Sequence, residues 1–445
     1  MRTLILIIGM SLTAKLFLSA QNRQDSLPLH EAVTLAMENN HSIQIADLEH
    51  QKAVFQQKES KSRLMPQVEA YSTFSYYYAI PKMVIPGEIF GQEGSIPVEF
   101  GTKYDWNSGL KFSQLIYSQS YFTSLTLISE MIELHELNVQ MKKEEVAFQV
   151  SQLYYLCQTV EKQLTAMDST LANLQKLKAI VELQKANDMA QQADVERLEI
   201  EINKVKIERQ KLAEHLAQQI NLLKLLTGQS MDTEVILPKR ISADETDMGM
   251  VENTIYPRTE LQLLEKQRQT TVLQADMEKQ GYLPTLSVFG QHYYQGMRDE
   301  FDFFDGGDDR FFKSGIVGLQ LSIPIFDGFA RCNRIKMQEI EVRKLQTQVA
   351  QTELLDTKQK REAWQSYENS RKELDILLAN VKSAERIYQA NLHGYRQQVV
   401  SLTDLLLSEN QLTENRISYY GTLFNAKSTE LKLKKLYGTL LSNSF

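Results

Sequence analysis

Seven histidines, two cysteines and fifteen methionines are the residues of this 445-residue chain best suited to hold a metal or attack a substrate. The histidines stand at 30, 41, 50, 135, 215, 292 and 393 and show no ligand spacing, and neither H-E-x-x-H nor G-x-S-x-G occurs. The methionines are scattered, as core filler is, rather than gathered as a copper or silver exporter would need. Cys157 and Cys332 could form a disulfide in an exported protein or stand as two buried thiols, which is the simpler reading. The acidic run "RDEFDFFDGGDDR" (298–310) invites a calcium site, but it lacks the D-x-[DN]-x-[DN]-G spacing of an EF-hand and reads as a solvated loop. No apparatus for catalysis, no cofactor site and no metal site is visible, so the chain is not expected to be an enzyme. What it does must come from its architecture.

That architecture begins with composition. The chain is too long for one ordinary core, which favours two domains or a duplicated unit. A formal charge of -7 argues against a nucleic-acid partner, because phosphates call for a basic face. The one long apolar stretch, "MRTLILIIGMSLTAKLFLSA" (1–20), puts Arg2 ahead of an apolar run that ends in Ser19 and Ala20, the pattern of a signal peptide. Its removal leaves 47 basic residues against 56 acidic ones.

The helix breakers then divide the chain. The nine prolines fall at 28, 66, 81, 86, 97, 238, 257, 284 and 324, leaving 98–237 and 325–445 without any; glycine thins out in the same tracts. Proline costs about 3 kcal/mol and glycine about 1 kcal/mol inside a helix, so these tracts predict very long helices. Tyr367, Leu374, Val381, Tyr388 and Tyr395 recur at seven-residue steps, and Leu198, Val205, Leu212 and Leu226 keep the same seven-residue register with one step skipped, which is a coiled-coil seam. Each pattern weakens once, at 185–199 and at 394–407, which predicts two helical hairpins, 119–227 and 328–437. Their incoming helices, about 69 residues each, reach on the order of 100 Å.

Between the tracts lie strand patterns at 66–80, 104–117, 284–296 and 313–326. Leu110 and Phe112 correspond to Val317, Leu319 and Leu321 on one face; Lys111 and Ser113 correspond to Gly318, Gln320 and Ser322 on the other. Apolar-out and polar-in alternation with aromatics near one end is the pattern of transmembrane barrel strands, whereas a soluble sandwich needs more strands for so much chain. The two halves also share phrases. "GLKFSQLIYSQ" (109–119) aligns with "GLQLSIPIFDG" (318–328), and "ADVERL" at 193 with "TDLLLS" at 403, placing Asp194 on Asp404. An offset held at 209 to 210 residues marks a tandem duplication, 21–238 and 239–445. Four strands cannot close a barrel, and open edges are not tolerated in hydrocarbon; the chain must oligomerise to eight, twelve or sixteen strands as a dimer, trimer or tetramer.

"LPLHEAVTLAMENNHSIQIA" (27–46) resembles the opening L-x-L-x-E-A-V-x-x-A-x-x-N-N segment of TolC-like outer-membrane efflux proteins, and "QLSIPIFDGFARCNRI" (320–335) resembles their strand-to-helix signature. The resemblance covers essentially all of the chain after residue 20. It implies a mainly α protein with membrane β: a homotrimer whose 12-stranded barrel sits in outer-membrane lipid of a Gram-negative cell, above an α-helical tube in the periplasm. Its partners would be a periplasmic adaptor and an inner-membrane transporter, and its function that of a passive exit duct for drugs, metals or other small molecules, or for proteins in type I secretion. The resemblance further places Asp404 in a carboxylate ring at the pore aperture, and Asp194 with Tyr395 as a polar latch at the tip. The family's second Asp, one turn after the first, is here Leu407; its Arg is Val400, and its tip glycine is Gln398. The residues alone also allow Asp404 to cap the returning helix and Tyr395 simply to continue the heptad. Two readings of other classes, a coiled-coil surface adhesin and a periplasmic adaptor, account for the heptads but not for the four matched strands.

Overall fold

The structure, a computed structural model, describes residues 26–91, 93–239, 241, 258–305 and 311–441. The expected signal segment, 1–20, and part of the acidic loop, 306–310, lie outside them. The helices are α1 (Leu29–Asn39), α2 (His41–Ser62), α3 (Gln119–Ala186), α4 (Gln192–Thr227), α5 (Thr259–Gln280), α6 (Ala330–Arg396) and α7 (Leu402–Leu436). The strands are β1 (Gln67–Tyr76), β2 (Lys82–Pro86), β3 (Ser95–Glu99), β4 (Tyr104–Tyr117), β5 (Thr285–Arg298) and β6 (Phe312–Ser322). The order helix, long strand, long strand, long helix, returning helix recurs in both halves, with β2 and β3 added in the first, yet the two compact units cut across them. One gathers the residues up to Leu48 with Leu137–Leu263 and Val349–Phe445; the other gathers Glu49–Glu136 and Leu264–Gln348.

The second unit is built on an antiparallel sheet in the order β1-β4-β5-β6. Its register pairs Val68 with Phe112, Phe112 with Gly290 and Gly290 with Val317, so the apolar positions of all four strands share one face. On β6 that face is bare, with Val317 81%, Leu319 70% and Leu321 61% exposed. The opposite face is polar and internally bonded: Gln291 donates to the Tyr71 hydroxyl, Gln295 to Asp105 at 3.0 Å, and the Lys111 ammonium lies 4.2 Å from the centre of the Tyr71 ring. A sheet with solvated polar groups on one side and uncovered aliphatics on the other is not a soluble arrangement. Among the described residues no helix is long and apolar enough to cross a membrane.

Three sequence expectations need correction here. The Pro/Gly-rich stretch between β1 and β4 is an ordered hairpin, β2 paired with β3, because Pro86 and Pro97 sit where a two-stranded ribbon can do without their N–H groups. Strand β6 stops at Ser322, four residues early, since Pro324 cannot donate to the ladder; Gly328 and Phe329 then both take left-handed backbone, which delays α6 to Ala330. The acidic loop is only partly solvated. Phe301 and Phe303 stack edge-on against Phe74 at 5.7 and 6.1 Å, and Phe303 reaches Trp106 at 5.5 Å, forming an aromatic cluster at the loop end of the sheet.

The first unit holds the main core, in which α1 packs with the middle of α3 and the far ends of α4 and α7 through Val33, Ala36, Val150, Leu223 and Leu431. Helices α1 and α2 are separated at Asn40, whose side-chain oxygen accepts from the Ser42 N–H at 2.9 Å while its amide donates to the Leu226 carbonyl at 2.9 Å. That carbonyl belongs to the last turn of α4, which has no partner of its own. The close approach requires Gly228: a Cβ there would lie 2.5 Å from Asn39 Cβ, and the backbone is left-handed at φ 67°. Cys157 is fully buried in this core and its thiol is pushed up to about 12, chiefly by burial; it and Cys332 are free thiols.

Candidate functional site

Each long hairpin turns in the same way. At the end of α3 the Met189 N–H reaches back to the Gln184 carbonyl at 2.8 Å and the Asp188 N–H to Lys185 at 2.9 Å; at the end of α6 Val399 reaches Gly394 at 2.9 Å and Gln398 reaches Tyr395 at 2.9 Å. These are Schellman closures, which want glycine at the left-handed position. Here the position is filled by Asp188 (φ 60°) and Gln398 (φ 63°). The glycine of the second turn is displaced to 394, where a Cβ would meet Val400 Cγ2 at 2.6 Å.

The returning helices open alike as well. In α4 the Gln191 side chain accepts from the Asp194 N–H, and the Asp194 carboxylate accepts from the Gln191 N–H at 3.2 Å. In α7 the Ser401 hydroxyl accepts from the Asp404 N–H at 3.1 Å and donates to the Asp404 carboxylate at 2.7 Å. Both aspartates thus occupy the third helical position and bond back to the cap residue, Asp194 in a capping box and Asp404 through the Ser401 hydroxyl, where the helix dipole favours negative charge. Asp404 is therefore not itself the N-cap, which is Ser401. Its carboxylate lies in the exposed first turn of α7.

The two tips are joined by an apolar cluster and by polar bonds. Val181, Val195, Leu198, Tyr395, Leu402 and Leu405 bury one another, with Tyr395 only 9% exposed. The Tyr395 hydroxyl donates to Gln184 Oε1 at 2.9 Å, and Arg197 Nη1 donates to Thr403 Oγ1 at 3.0 Å. The expected pairing of Tyr395 with Asp194 takes a different form. Asp194 is engaged by the Gln191 N–H and, at 3.9 Å, by Arg197, leaving the phenol to Gln184. Asp194 remains near enough for its charge to raise the Tyr395 pKa, second to the effect of burial. Arg197, from the opposite hairpin, supplies a guanidinium beside Thr403, three residues from Val400 where the family's arginine was expected. Gln184 and Arg197 were missed because neither belongs to a motif; the signal available was their place in the last turn before, and the second turn after, one hairpin bend. Deeper in, the α3–α7 seam continues through Thr170 and Thr413, whose hydroxyls lie 2.6 Å apart, and through Gln163, which donates to the Ile417 carbonyl at 3.3 Å.

None of this is apparatus for bond-making. Among the described residues no group of three His, Cys, Asp or Glu could hold a metal ion. What the side chains can do is hold two helical pairs together through neutral hydrogen bonds and one guanidinium, bonds that break and re-form without chemistry.

Residues 252–439 match the family model described as outer membrane efflux protein. The match lies in the second half of this chain. The fold extends the likeness to nearly the whole chain: VceC from the bacterial pathogen Vibrio cholerae superposes with a TM-score of 0.74 at 14% identity, over 92% of this chain and 96% of that one. The CmeC outer membrane channel of Campylobacter jejuni gives 0.73 at 16% identity, over 94% and 87%, and the open state of the Neisseria gonorrhoeae MtrE outer membrane channel gives 0.71 at 14%, over 93% and 90%. The mainly helical architecture with one amphipathic sheet is therefore that of outer-membrane efflux channels. No curated protein matches the chain by sequence.

Proposed function

We propose that this protein is the outer-membrane exit duct of a tripartite pump. Three copies would close their four-stranded sheets into a 12-stranded barrel, with the paired hairpins forming a tube in the periplasm. The observation that carries the reading is the sheet itself: β1 and β6 each have a partner on one side only, and one face is apolar from edge to edge. Unpaired strand edges are costly in hydrocarbon, and closure with other copies removes them. The helices support the same conclusion. Within one chain α3 and α7 bond to each other, while α4 turns Ile200 and Ile207, one heptad apart, toward solvent and α6 does the same with Ile376 and Ile387. Such uncovered stripes suit the flanks of neighbouring subunits.

In this reading the pump's adaptor and inner-membrane transporter engage the helical end, and the duct passively conducts what they deliver. Three Asp404 carboxylates form one ring at the aperture, and Tyr395, with Gln184 and the neighbouring Asp194 and Arg197, latches the two tips of each subunit. Native mass spectrometry from detergent should return a trimer; a stable monomer under conditions that preserve the helical content would refute the barrel.

A further inference from the structure

The seam between the hairpins holds one carboxyl that neither the latch nor the aperture uses. Glu409 lies in the second turn of α7, 2% exposed, among Leu174, Leu405 and Leu412. Asn173 of α3 donates to its Oε1 at 3.3 Å, whereas Oε2 is buried and meets no hydrogen-bond partner among the described residues. A carboxylic acid tolerates that site; a carboxylate with a bare buried oxygen does not.

The groups around it do little to neutralise a charge. Helix α3 offers Asn173 and Thr170, both neutral, and α4 contributes the apolar Ile202 and Val205 to the same cluster. On α7 itself Thr413 is bonded to Thr170, and Arg416 is already paired with Glu385 of α6. Tyr388 of α6 has its phenol pushed up to about 12, by burial first and then by the charges of Glu409 and Glu385, so it stays protonated and brings no charge of its own. Burial, the largest influence, raises the Glu409 pKa above the ordinary carboxylate value, with Glu385 adding to it and Asn173, Thr170 and Arg416 opposing. The duplication sharpens the point. The residue 210 positions earlier, Glu199, is exposed and paired with Lys178 at 2.6 Å, so the burial is particular to the second hairpin.

We propose that Glu409 is a proton-operated release for the contact between the two hairpins: protonated, it lets α7 seat against α3, and its loss of the proton to solvent loosens the tip. As a device of the duct it rests on the exit-duct reading; as a property of the seam it does not. Because the folded state raises this proton affinity, the tight packing is fully supported below the ordinary carboxylate pKa of 4.5 and loses that support as pH rises through the higher Glu409 value. The tip is therefore tightest in acid and loosens toward neutrality.

Hydrogen exchange on the purified full-length protein tests this without requiring a channel. Protection of the peptides spanning 170–186 and 402–413, corrected for intrinsic rates, should fall about tenfold between about pH 5 and about pH 8. Glu409→Gln, which imitates the protonated acid, should abolish that fall and keep the acid level of protection throughout. Asn173→Leu removes the donor that favours the charged form, so the transition should move to higher pH; this variant decides the matter if Glu409→Gln does not fold. A wild type with no pH dependence in these peptides, or a Glu409→Gln variant that retains it, overturns the proposal. Bilayer recordings separate the two readings. Protein that shows the Glu409-dependent step but forms no channels refutes the duct and leaves the switch, while channels without the step do the reverse.

Discussion

Removing one oxygen atom from Tyr395 should open the tip. The phenol is 9% exposed and donates to Gln184 Oε1 at 2.9 Å, the shortest side-chain bond crossing between the hairpins at their ends. Tyr395→Phe keeps the ring in its pocket with Leu402 and Leu405 and deletes the donor alone. A neutral hydrogen bond of this kind contributes about 0.5 to 1.5 kcal/mol net. Gln184 is half-buried and can turn its amide to water, so the loss should be near the middle of that range, about 1 kcal/mol per subunit. If three tips move together, about 3 kcal/mol is at stake, roughly a hundredfold in the closed-to-open ratio.

The assay is single-channel conductance in planar bilayers, together with antibiotic entry into cells carrying the variant. Tyr395→Phe and Gln184→Leu should each raise both readouts, and the double variant should do no more than either one, since they delete the same bond. Asp194→Ala should also raise conductance by a different route: it removes the return bond of the α4 capping box and frees Arg197, so its effect should add to that of Tyr395→Phe rather than merge with it. A Tyr395→Phe protein indistinguishable from wild type in both assays, with its trimer intact, would mean that Tyr395 only packs in the seam and that the latch is misassigned.

Two further outcomes separate roles that one residue combines. Asp404→Asn keeps an acceptor for the Ser401 hydroxyl but removes the charge, so cation selectivity and block by trivalent cations should fall while thermal stability stays within about 0.5 kcal/mol of wild type; unchanged selectivity would leave Asp404 with the capping role alone. Gln398→Gly relieves a side chain held at φ 63° and should stabilise the second hairpin by about 1 kcal/mol, read as a rise in melting temperature, with Asp188→Gly gaining less because aspartate tolerates this conformation better; a fall for Gln398→Gly would mean that its side chain makes a contact worth more than the strain.

The long helices and the four principal strands were legible because their signals are local. Proline is absent from α3 and α6 and glycine nearly so, and period-two alternation marks Val317, Leu319 and Leu321. What escaped is set by neighbours distant in the chain. Ser401 and Gln191 could each be read as caps only once Asp404 and Asp194 were seen to return the bond. The β2–β3 hairpin was hidden by Pro86, Gly91, Gly94 and Pro97, residues that argue against strand in a sheet interior and are tolerated in an isolated ribbon. Gln184 carries no pattern; its role exists because α6 brings a tyrosine to it across 211 positions. Glu409 sits among leucines at helical spacing and looks like an ordinary polar position until α3 covers it.

The duplication bears on how a latch can exist at all. Two identical hairpins would offer each other identical faces, and any bond between them would have a twin. Here the halves have diverged where they touch. Along α4 the buried positions Val195, Leu198, Ile202 and Val205 form a narrow stripe, one residue per turn, whereas α7 buries Leu402, Leu405, Leu406, Ser408, Glu409 and Leu412, a face broad enough to meet both its own hairpin partner α6 and the other hairpin's α3. The position of Tyr395 corresponds to Lys185 in the first half, and that of Gln184 to Gly394. Tyr395 as donor and Gln184 as acceptor are thus each present once, so their bond has no symmetric copy to mask its loss. The second hairpin carries the wide face, the phenol and the buried acid; the first carries the amide and the guanidinium. A seam made of unlike halves can be weakened at one residue, which is what a gate requires and what a symmetric bundle would resist.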